Sequence, residues 1–286
     1  MKHRGWFYDL AVGVFDTMLH RGKVRELRQR TLEGARIRPG DQVLDVGCGT
    51  GTLAMEAQRL VGGTGRVCGV DPDERQVARA RAKAARRRTP IEVRIGGVEH
   101  LDFPEAVFDV VLSTMMLHHL PDDLLERGLA EIARVLKPGG RVVIADFQGR
   151  DLPALLAEAG LSLVESAELP FPAVPGSPAH RSGRMDFVAA VRPRSPEAAR
   201  VLGRLDHLVE RGHLTETEAE RLRGAGQGGE LDDAIRDVRL RHAGERLSDA
   251  VSQGTVTPEE ADAVLERVGR GEHPRLPRAL RRRGQR

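Results

Sequence analysis

Aromatic side chains are scarce in this sequence of 286 residues, which holds one Trp, one Tyr and seven Phe. Four of these nine, Trp6, Phe7, Tyr8 and Phe15, fall within the first fifteen residues, and none lies between Ser195 and Arg286. A segment without aromatic residues can bury only a small core. The sequence therefore predicts a change of architecture near residue 194, inside a linker-like run that contains two prolines.

Cysteine and long apolar runs are also lacking. The two cysteines, Cys48 and Cys68, are too few for a disulfide framework or for a zinc site of their own. The absence of an apolar run of about 18 residues argues against a transmembrane helix, and the first residues do not have the pattern of a secretory signal. Since 45 Lys and Arg face 42 Asp and Glu, charge alone does not indicate a nucleic-acid partner. We expect a cytoplasmic protein without a metal site.

Short apolar segments alternate with helical patterns between residues 41 and 192. The predicted strands are 42–47, 66–71, 91–96, 108–114, 141–147, about 161–168 and 185–191. An amphipathic helix is predicted over 22–36, and the run Lys137-Pro138-Gly139-Gly140 is typical of a helix end followed by a turn. This alternation predicts a mostly parallel, doubly wound α/β sheet, in which ligands bind at the carboxyl ends of the strands.

The first predicted strand ends in a glycine-rich run, Asp45-Val46-Gly47-Cys48-Gly49-Thr50-Gly51. Glycines allow a sharp turn and a close approach to a ligand, and the helix that follows offers free N–H groups. The spacing is GxGxG rather than the GxGxxG of dinucleotide sites. Asp45 would repel a pyrophosphate but pair with an ammonium group, while Asp71 at the end of the second strand suits ribose hydroxyls. S-adenosylmethionine is a ligand that carries an amino group, a carboxylate and a ribose.

Four sequence blocks carry a resemblance to a known family. They are VLDVGCGTG (43–51), GVDPDERQVARARAKA (69–84), FDVVLSTMMLHHLPD (108–122) and EIARVLKPGGRVVIAD (131–146). In this order they resemble the class I S-adenosylmethionine-dependent methyltransferases, over about residues 5–192, and especially the small-molecule enzymes similar to quinone-biosynthesis C-methyltransferases. The resemblance implies a seven-stranded Rossmann-like methyltransferase sheet, S-adenosylmethionine as cofactor, and methyl transfer to a small-molecule acceptor by in-line displacement.

The resemblance also implies which residues bind the cofactor. They are Asp45 for the ammonium group, Gly47, Cys48, Gly49 and Gly51 of the loop beside the methionine moiety, Asp71 for the ribose, Pro72, Gly97, Val98 and Glu99 around the adenine, and Ser113 bordering the sulfonium. Gly97 stands where the family often has Asp, so Glu99 is a substitute acid for the adenine amino group. Tyr8 with Asp9 resembles a pair that folds over the cofactor in many relatives. The alternative is that Tyr8 belongs to an aromatic staple that holds a helix on the core.

His118 and His119 follow the fourth strand, close to the expected position of the methyl group. Either is a candidate catalytic base for an acceptor that must lose a proton, and the alternative is a packing or hydrogen-bonding role. The strand is not followed by the Asn/Asp-Pro-Pro-aromatic run of enzymes that methylate exocyclic amines of DNA bases. We expect the acceptor pocket to use residues 1–36, the loop after the fourth strand and residues 169–184.

The C-terminal part contains an internal repeat, since residues 205–222 and 247–264 share a pattern at a displacement of 42. Thr215 with Glu218, and Thr257 with Glu260, are predicted capping boxes. The repeat predicts a small all-α extension of two helical hairpins, joined by a flexible glycine segment at 224–229. Its alternatives are a module for homo-oligomerisation or for docking a protein partner, and loosely packed hairpins without a specific role.

We divide the chain into an N-terminal helical segment (1–40) that covers the site, a methyltransferase domain (41–194), two helical-hairpin repeats (195–272) and a basic tail (273–286). The tail carries six arginines and is predicted to be solvated and disordered rather than bound to RNA or to an anionic membrane. The rival functions are an NAD-dependent oxidoreductase, a non-catalytic cofactor-binding or assembly protein that acts through its C-terminal repeats, and an RNA methyltransferase.

Overall fold

The computed structural model describes residues 21–147, 149–171, 183–195, 200–228 and 231–270. The chain divides into two compact units, Met1–Gly203 (unit 1) and Arg204–Arg286 (unit 2). Three predictions lie outside the described residues: the role of Tyr8 and its aromatic neighbours, the part of the acceptor pocket at 172–182, and the state of the tail at 273–286.

Unit 1 is a seven-stranded sheet with helices on both faces, which confirms the predicted fold class. Its elements are α1 (Arg21–Ala35), β1 (Gln42–Val46), α2 (Thr52–Val61), β2 (Arg66–Asp71), α3 (Glu74–Arg87), β3 (Glu92–Ile95), β4 (Phe108–Thr114), α4 (Asp122–Val135), β5 (Leu136–Phe147), α5 (Leu152–Glu158), β6 (Ser162–Pro170) and β7 (Arg184–Val191). The strand order is β3-β2-β1-β4-β5-β7-β6. β7 pairs antiparallel with both β5 and β6, and all the other strand pairs are parallel.

The order of the strands reverses between β1 and β4, and this reversal positions the site. Right-handed crossovers place α2 and α3 on one face of the sheet and α4 and α5 on the other. α1 lies beside α2, because Arg28 Nε donates to Glu56 Oε2 at 3.2 Å. The connections after β1 and β4 therefore leave in opposite directions and open a crevice at the carboxyl ends of the two strands.

The run Lys137–Gly140 differs from the predicted turn. α4 ends at Val135 as expected, but the chain then continues directly into β5. Leu136 pairs with Phe108 and Arg141 pairs with Val110, so the four residues between them bulge opposite Asp109. The bulge is stabilised by Lys137, whose Nζ lies 2.7 and 2.8 Å from the two Asp109 carboxylate oxygens. A left-handed φ of +84° at Gly139 permits the local bend.

α1 is held on the sheet by a buried arginine and by a glycine. Arg141 is 4% exposed, and its Nη1 donates to the carbonyl oxygens of Gly34 (3.2 Å) and Ala35 (3.0 Å), which belong to the last turn of α1. Burial lowers the pKa of Arg141 to about 10. A Cβ on Gly34 would lie 2.5 Å from the ring of Phe187, so the helix can approach β7 closely only with glycine at this position.

Unit 2 consists of α6 (Leu205–Glu210), α7 (Glu216–Gly228), α8 (Leu231–Ser252) and α9 (Pro258–Gly269). The turns between the paired helices contain Gly212 and Gly254, both with a φ near +66°. The expected flexible joint is wrong for residues 224–228, because α7 continues helically through them. α7 packs its buried Ala219 and Leu222 in unit 2, and such packing outweighs the cost of about 1 kcal/mol per helical glycine.

The two capping glutamates of the repeat lie in different environments. Glu260 and Thr257 form an exposed capping box. Glu218 makes the same bonds with Thr215 but is 4% exposed, and its Oε1 also contacts Arg241 Nη1 (2.9 Å) and His242 Nε2 (3.0 Å) of α8. Burial raises the pKa of Glu218, but the Thr215 hydrogen bonds and the two cations more than offset this, so the net pKa is below its usual value.

The anchor of α1 gives the first prediction. Arg141→Met leaves the carbonyl groups of Gly34 and Ala35 without their donor inside the protein, so we expect a loss of about 3 kcal/mol in the free energy of unfolding of unit 1. Urea unfolding followed by circular dichroism measures the change. Arg38→Met, which alters an exposed arginine, is the control, and an equal effect of the two substitutions would contradict the anchoring role.

The repeat supplies a matched pair for the second prediction. At pH 7 Glu218→Gln should destabilise unit 2 by about 2 kcal/mol, and Glu260→Gln by less than about 0.5 kcal/mol. Because the pKa of Glu218 is lowered by folding, its stabilisation is present above the unfolded pKa and is lost as pH falls through the folded value. The difference between the variants in urea unfolding should therefore shrink towards pH 3. A difference that is the same at both pH values would rule out the ionised Glu218 as its source.

Candidate functional site

The glycine loop connects the end of β1 to α2 beside the end of β2. The N–H groups of Gly47 and Cys48 both donate to the Val70 carbonyl of β2, at 2.9 and 3.0 Å. Gly47, Gly49 and Gly51 have φ values of +71°, +51° and +69°, a region that favours glycine. The predicted sharp turn is therefore present, and it needs glycine at all three positions.

The three glycines differ in what surrounds them. No heavy atom lies within 4 Å of a Cβ built on Gly49, so this glycine faces open space. A Cβ on Gly47 would overlap the side chain of Met116, and one on Gly51 would lie 3.1 Å from Ala80 Cβ of α3. Gly49 thus borders open space, while Gly51 allows α3 to pack and Gly47 makes room for Met116.

Asp45 is a buried acid with an unused oxygen. It is 1% exposed, and its Oδ2 has no hydrogen-bond partner among the residues that the structure describes. Burial raises the pKa of Asp45 to about 7. A hydrogen bond from the backbone of Ala54 partly opposes this rise, and the charge of Asp71 adds a smaller increase. An ionised carboxylate in such a place is stable only beside a cation. The position therefore suits an ammonium group of a ligand.

Asp71 ends β2 next to the glycine loop, as the sequence predicts. Its Oδ2 accepts from the N–H of Gly49 at 2.8 Å, and its Oδ1 accepts from the N–H of Asp73 at 2.9 Å. Each carboxylate oxygen has a second lone pair, which can accept a ribose hydroxyl. Pro72 follows as an exposed residue, so it is accessible to a flat ring.

The segment after β3 lies beside Asp71, since the N–H of Gly96 donates to the Asp71 carbonyl at 3.1 Å. The carboxylate of Glu99 lies over Gly97, where it would overlap a Cβ at that position. Val98 is buried, and its side chain packs closely on Gly128 of α4, so only its backbone is available to a ligand. An acid is thus present in the segment after β3, and it comes from position 99 instead of 97.

Cys48 and Ser113 complete the set of predicted cofactor residues. The Cys48 side chain packs with Val77, Ala80 and Val93 in a small core, and burial raises the pKa of its thiol well above the usual range. Cys48 can therefore contact a ligand only through its backbone. Ser113 of β4 pairs with Val46 of β1 and is fully buried. Its Oγ has no hydrogen-bond partner within the described part of the chain.

Asp146, near the end of β5, organises the segment that follows β4, and sequence reasoning missed it. Its Oδ2 accepts from the N–H groups of Met116 (3.0 Å) and Leu117 (2.6 Å). Its Oδ1 lies 2.5 Å from His118 Nδ1 and accepts from the N–H of Phe147 at 2.7 Å. Its position could have indicated a functional role, because Asp146 lies near the carboxyl end of β5, the strand next to β4. Ligands bind at this edge of such sheets.

The two histidines lie together in the short 3₁₀ turn Leu117–His119. Their ring centroids are 3.8 Å apart. Burial lowers the pKa of His119, and the neighbouring His118 lowers it further, so the His119 ring is neutral at pH 7. Met115, just before the turn, has a φ of +55°. Such strain in a residue with a side chain is typical of functional loops, and here it precedes the residue that covers Gly47.

A chain of aromatic rings connects His118 to a cavity. His118 packs edge-on against Phe147 (5.0 Å between centroids), and Phe147 packs edge-on against Phe171 (5.4 Å). Phe171 lines a cavity of about 260 Å³ between α1 and the end of β6, where Leu27, Leu169 and Pro170 supply further apolar surface. The cavity thus uses two of the segments from which the sequence predicts an acceptor pocket.

Lys83 is a second residue that sequence reasoning missed. Its Nζ donates to the Thr50 carbonyl (3.2 Å) and contacts the hydroxyl groups of Thr50 (3.0 Å) and Thr52 (2.6 Å). These bonds connect α3 to the loop between Gly49 and α2. A lysine in a basic helix gives no sequence signal for this role.

Neither a bilayer-spanning helix nor a metal cluster occurs in the described ranges. No helix there is both long and apolar enough to cross a membrane. No group of three or more His, Cys, Asp or Glu residues there is arranged to hold a metal ion.

Known sequences that are similar to this chain are described as methyltransferases. Residues 43–140 match a family model described as a methyltransferase domain. A demethylmenaquinone methyltransferase of Desulfitobacterium hafniense (strain Y51) is 33% identical over 142 residues, 49% of this chain and 55% of that protein. A ubiquinone/menaquinone biosynthesis C-methyltransferase of Ralstonia pickettii (strain 12J) is 37% identical over 150 residues, 51% of this chain and 60% of that protein. The chain thus matches little more than half the length of these relatives.

Solved structures show the same fold at lower identity. Geranyl diphosphate C-methyltransferase from Streptomyces coelicolor A3(2), solved with S-adenosyl-L-homocysteine, has a TM-score of 0.52 and 18% identity over 61% of this chain and 79% of its own. The [4+2]-cyclase SpnF also has a TM-score of 0.52, with 21% identity over 59% of this chain and 82% of its own. Over residues 43–140 the chain is therefore similar to methyltransferase domains, and over about half of its length it is similar to quinone C-methyltransferases.

Proposed function

We propose that this chain transfers the methyl group of S-adenosylmethionine to a small-molecule acceptor. The observation that carries the proposal is Asp45 Oδ2, a buried carboxylate oxygen without a partner among the described residues, next to a glycine loop that is open at Gly49. The ammonium group of the cofactor would pair with Asp45, its ribose with Asp71, and its adenine amino group with Glu99. The other cofactor residues, Gly47, Cys48 and Val98, would contribute backbone groups.

When bound, the cofactor supplies an electrophilic methyl group on a sulfonium. The protein then has to hold the acceptor atom in line with the bond that breaks, and such positioning accounts for a large part of catalysis. Met116 covers Gly47 and Ser113 lies in the neighbouring strand at the crevice. These two residues would close the space around the sulfonium and exclude water from it.

The proposal gives His118 the role of general base and Asp146 the role of its positioning residue. The hydrogen bond between Asp146 Oδ1 and Nδ1 favours the tautomer that carries its proton on Nδ1, so that Nε2 has the basic lone pair. Asp146 would also stabilise the imidazolium that forms when a proton is taken from the acceptor. His119, whose pKa burial lowers, is better suited to contact the acceptor as a neutral ring.

The acceptor would be a partly apolar molecule with an ionisable hydroxyl group or an acidic ring carbon. Its ring would extend from His118 along Phe147 and Phe171 towards the cavity beside α1. The relatives named for demethylmenaquinone make a reduced quinone ring the first acceptor to test.

The division into an N-terminal covering segment (1–40), a methyltransferase domain (41–194), hairpin repeats (195–272) and a basic tail (273–286) is part of the same proposal. We further propose that residues 195–272 dock a protein partner or associate with a second copy of the chain. The proposed site of action is the cytoplasm. A non-catalytic role of the cofactor-binding domain is the alternative. Because a [4+2]-cyclase is among the solved structures with the same fold, turnover has to be tested as well as binding.

The test of the function is a transfer assay with labelled S-adenosylmethionine and a reduced demethylmenaquinone that has a shortened side chain. We expect a product heavier by one methyl group, detected by mass spectrometry, that depends on Asp71. Binding of S-adenosylhomocysteine without transfer to this or to a panel of related hydroquinones and phenols would favour the non-catalytic alternative. No binding of the cofactor would contradict the proposal altogether.

Asp45 makes a prediction about pH. Since burial raises its pKa to about 7, a proton must leave Asp45 before it can pair with an ammonium group. The affinity for S-adenosylhomocysteine should therefore rise from pH 6 to pH 8, by up to about tenfold per unit below pH 7. Calorimetric titrations measure this slope. Asp45→Asn should remove it and weaken binding, whereas Asp102→Asn, at an exposed acid, should keep it. A flat profile in the unaltered protein would refute the pairing.

His118 and Asp146 make a prediction about turnover. His118→Gln should lower kcat by about 10²–10³-fold while the affinity for S-adenosylhomocysteine changes less than about threefold. Asp146→Asn should also lower kcat, because His118 Nδ1 loses the carboxylate that fixes its tautomer and orientation. His119→Gln is the matched variant, with a loss of kcat below about tenfold. Equal losses of kcat at the two histidines would indicate a packing role.

A further inference from the structure

The two helical layers of unit 1 differ strongly in charge. α1, α2 and α3, which share one face of the sheet, carry twelve Lys and Arg against four Glu. α4 and α5 on the opposite face carry five Asp and Glu against two Arg. The whole chain contains 45 basic and 42 acidic residues. If its arginines were spread evenly, the two helical layers would not differ in charge in this way.

The outer side of α3 is a stripe of unpaired arginines. Three arginines of α3 are exposed: Arg75, Arg79 and Arg86. Because Arg79 and Arg86 follow Arg75 by four and eleven residues, the three lie within about 40° of arc on the helix. Ala80 and Ala84 are buried on the inner side. The three arginine side chains have neither an ion pair nor a hydrogen bond within the described ranges, whereas many other arginines of unit 1, such as Arg127 on α4, pair with an acid.

This stripe continues towards α1. Burial lowers the pKa of Lys83, and the next contributions come from the charges of Arg87 on α3 and Arg28 on α1. Cations from the two helices therefore lie near one another, and Glu56, which pairs with Arg28 at 3.2 Å, offsets only part of their charge. Repulsion among the remaining cations is unfavourable for the protein alone, and an anionic partner would relieve it.

An apolar groove lies beside these cations. A cavity of about 520 Å³ between α1 and α2 is lined by Leu32, Ile37 and Leu60, with Leu60 43% exposed. Its rim holds Arg25, Arg36 and Arg59. The two acids of the groove are engaged, since Glu33 accepts from Gln29 at 2.9 Å and Glu56 accepts from Arg28 at 3.2 Å. We call the outer surface of α1, α2 and α3 together with this groove the basic face.

We propose that the basic face binds the surface of a membrane that contains anionic phospholipid. Phosphate groups at such a surface complement the arginines, and exposed leucine and isoleucine side chains can enter the region between headgroups and acyl chains. α1, α2 and α3 contain no aromatic residue, so the face lacks the platforms on which nucleic-acid bases stack. None of the residues assigned to the cofactor or to His118 and Asp146 belongs to the stripe or to the groove.

The test is co-sedimentation of the full chain with vesicles of phosphatidylcholine alone and with vesicles that also contain 30% phosphatidylglycerol. We expect binding to the anionic vesicles only, and weaker binding in 0.5 M salt because the charges are then screened. The triple variant Arg75→Glu, Arg79→Glu, Arg86→Glu should lose at least about tenfold in vesicle affinity. Leu60→Gln, which leaves the charge unchanged, should lose several-fold.

The control variant makes the same change of net charge in unit 2, with Arg204→Glu, Arg211→Glu and Arg246→Glu, and should keep its vesicle affinity within about threefold. Circular dichroism and the affinity for S-adenosylhomocysteine monitor folding. Equal binding to neutral vesicles, or equal losses in the two triple variants, would overturn the proposal. If the α3 triple variant bound vesicles as well as the unaltered protein, other cations such as those of the tail would be responsible for membrane binding, and the proposal would be wrong. Binding of a 20-base-pair DNA duplex without vesicle binding would assign the face to nucleic acid.

Discussion

A carboxylate with an unused oxygen lies buried at the end of β1, and the surrounding structure has to accommodate it. Asp45 is 1% exposed, and burial raises its pKa to about 7. Without a ligand it is stable at low pH as the neutral acid, and its ionised form needs a cation that the described residues do not supply. The glycine loop keeps side chains away from the space beside Gly49. A ligand that carries an ammonium group would satisfy the carboxylate and fill that space.

Asp146 organises the segment after β4, on the other side of the same crevice. It collects three N–H groups and the imidazole of His118, and so fixes the course of the chain after β4. That course places Met116 over Gly47, which joins the two halves of the site. In the proposed reaction the two carboxylates have different roles: Asp45 would pair with the ammonium group of the cofactor, and Asp146 would orient the histidine that takes a proton from the acceptor.

The division of charge between the helical layers adds a separate level of organisation. The strands set the position of the site, and α2 and α3 pack on them mostly through small or aliphatic residues. If the basic face binds a membrane, an acceptor that dissolves in lipid would be concentrated near the same protein. The residues assigned to the cofactor, His118 and Asp146 are separate from the arginine stripe and the groove, so each proposal can fail without the other.

The sequence was sufficient for the strands, the glycine loop and the two capping boxes, because each depends on neighbouring residues. Apolar runs located all seven strands, and the GxGxG spacing located three left-handed glycines. Asp146 was missed because its partners lie about 30 positions earlier, so its role follows from the pairing of β4 with β5. The bulge at Lys137–Gly140 likewise depends on Asp109 of a neighbouring strand. The helical glycines of α7 depend on packing against other helices, which outweighs local propensity.

The most direct test of this account is a crystal structure of the protein with S-adenosylhomocysteine. The account predicts the ligand's ammonium group within hydrogen-bonding distance of Asp45 Oδ2, its ribose on Asp71, and its sulfur between Met116 and Ser113. A ligand bound in the crevice with its ammonium group away from Asp45, or a ligand bound elsewhere on unit 1, would contradict it.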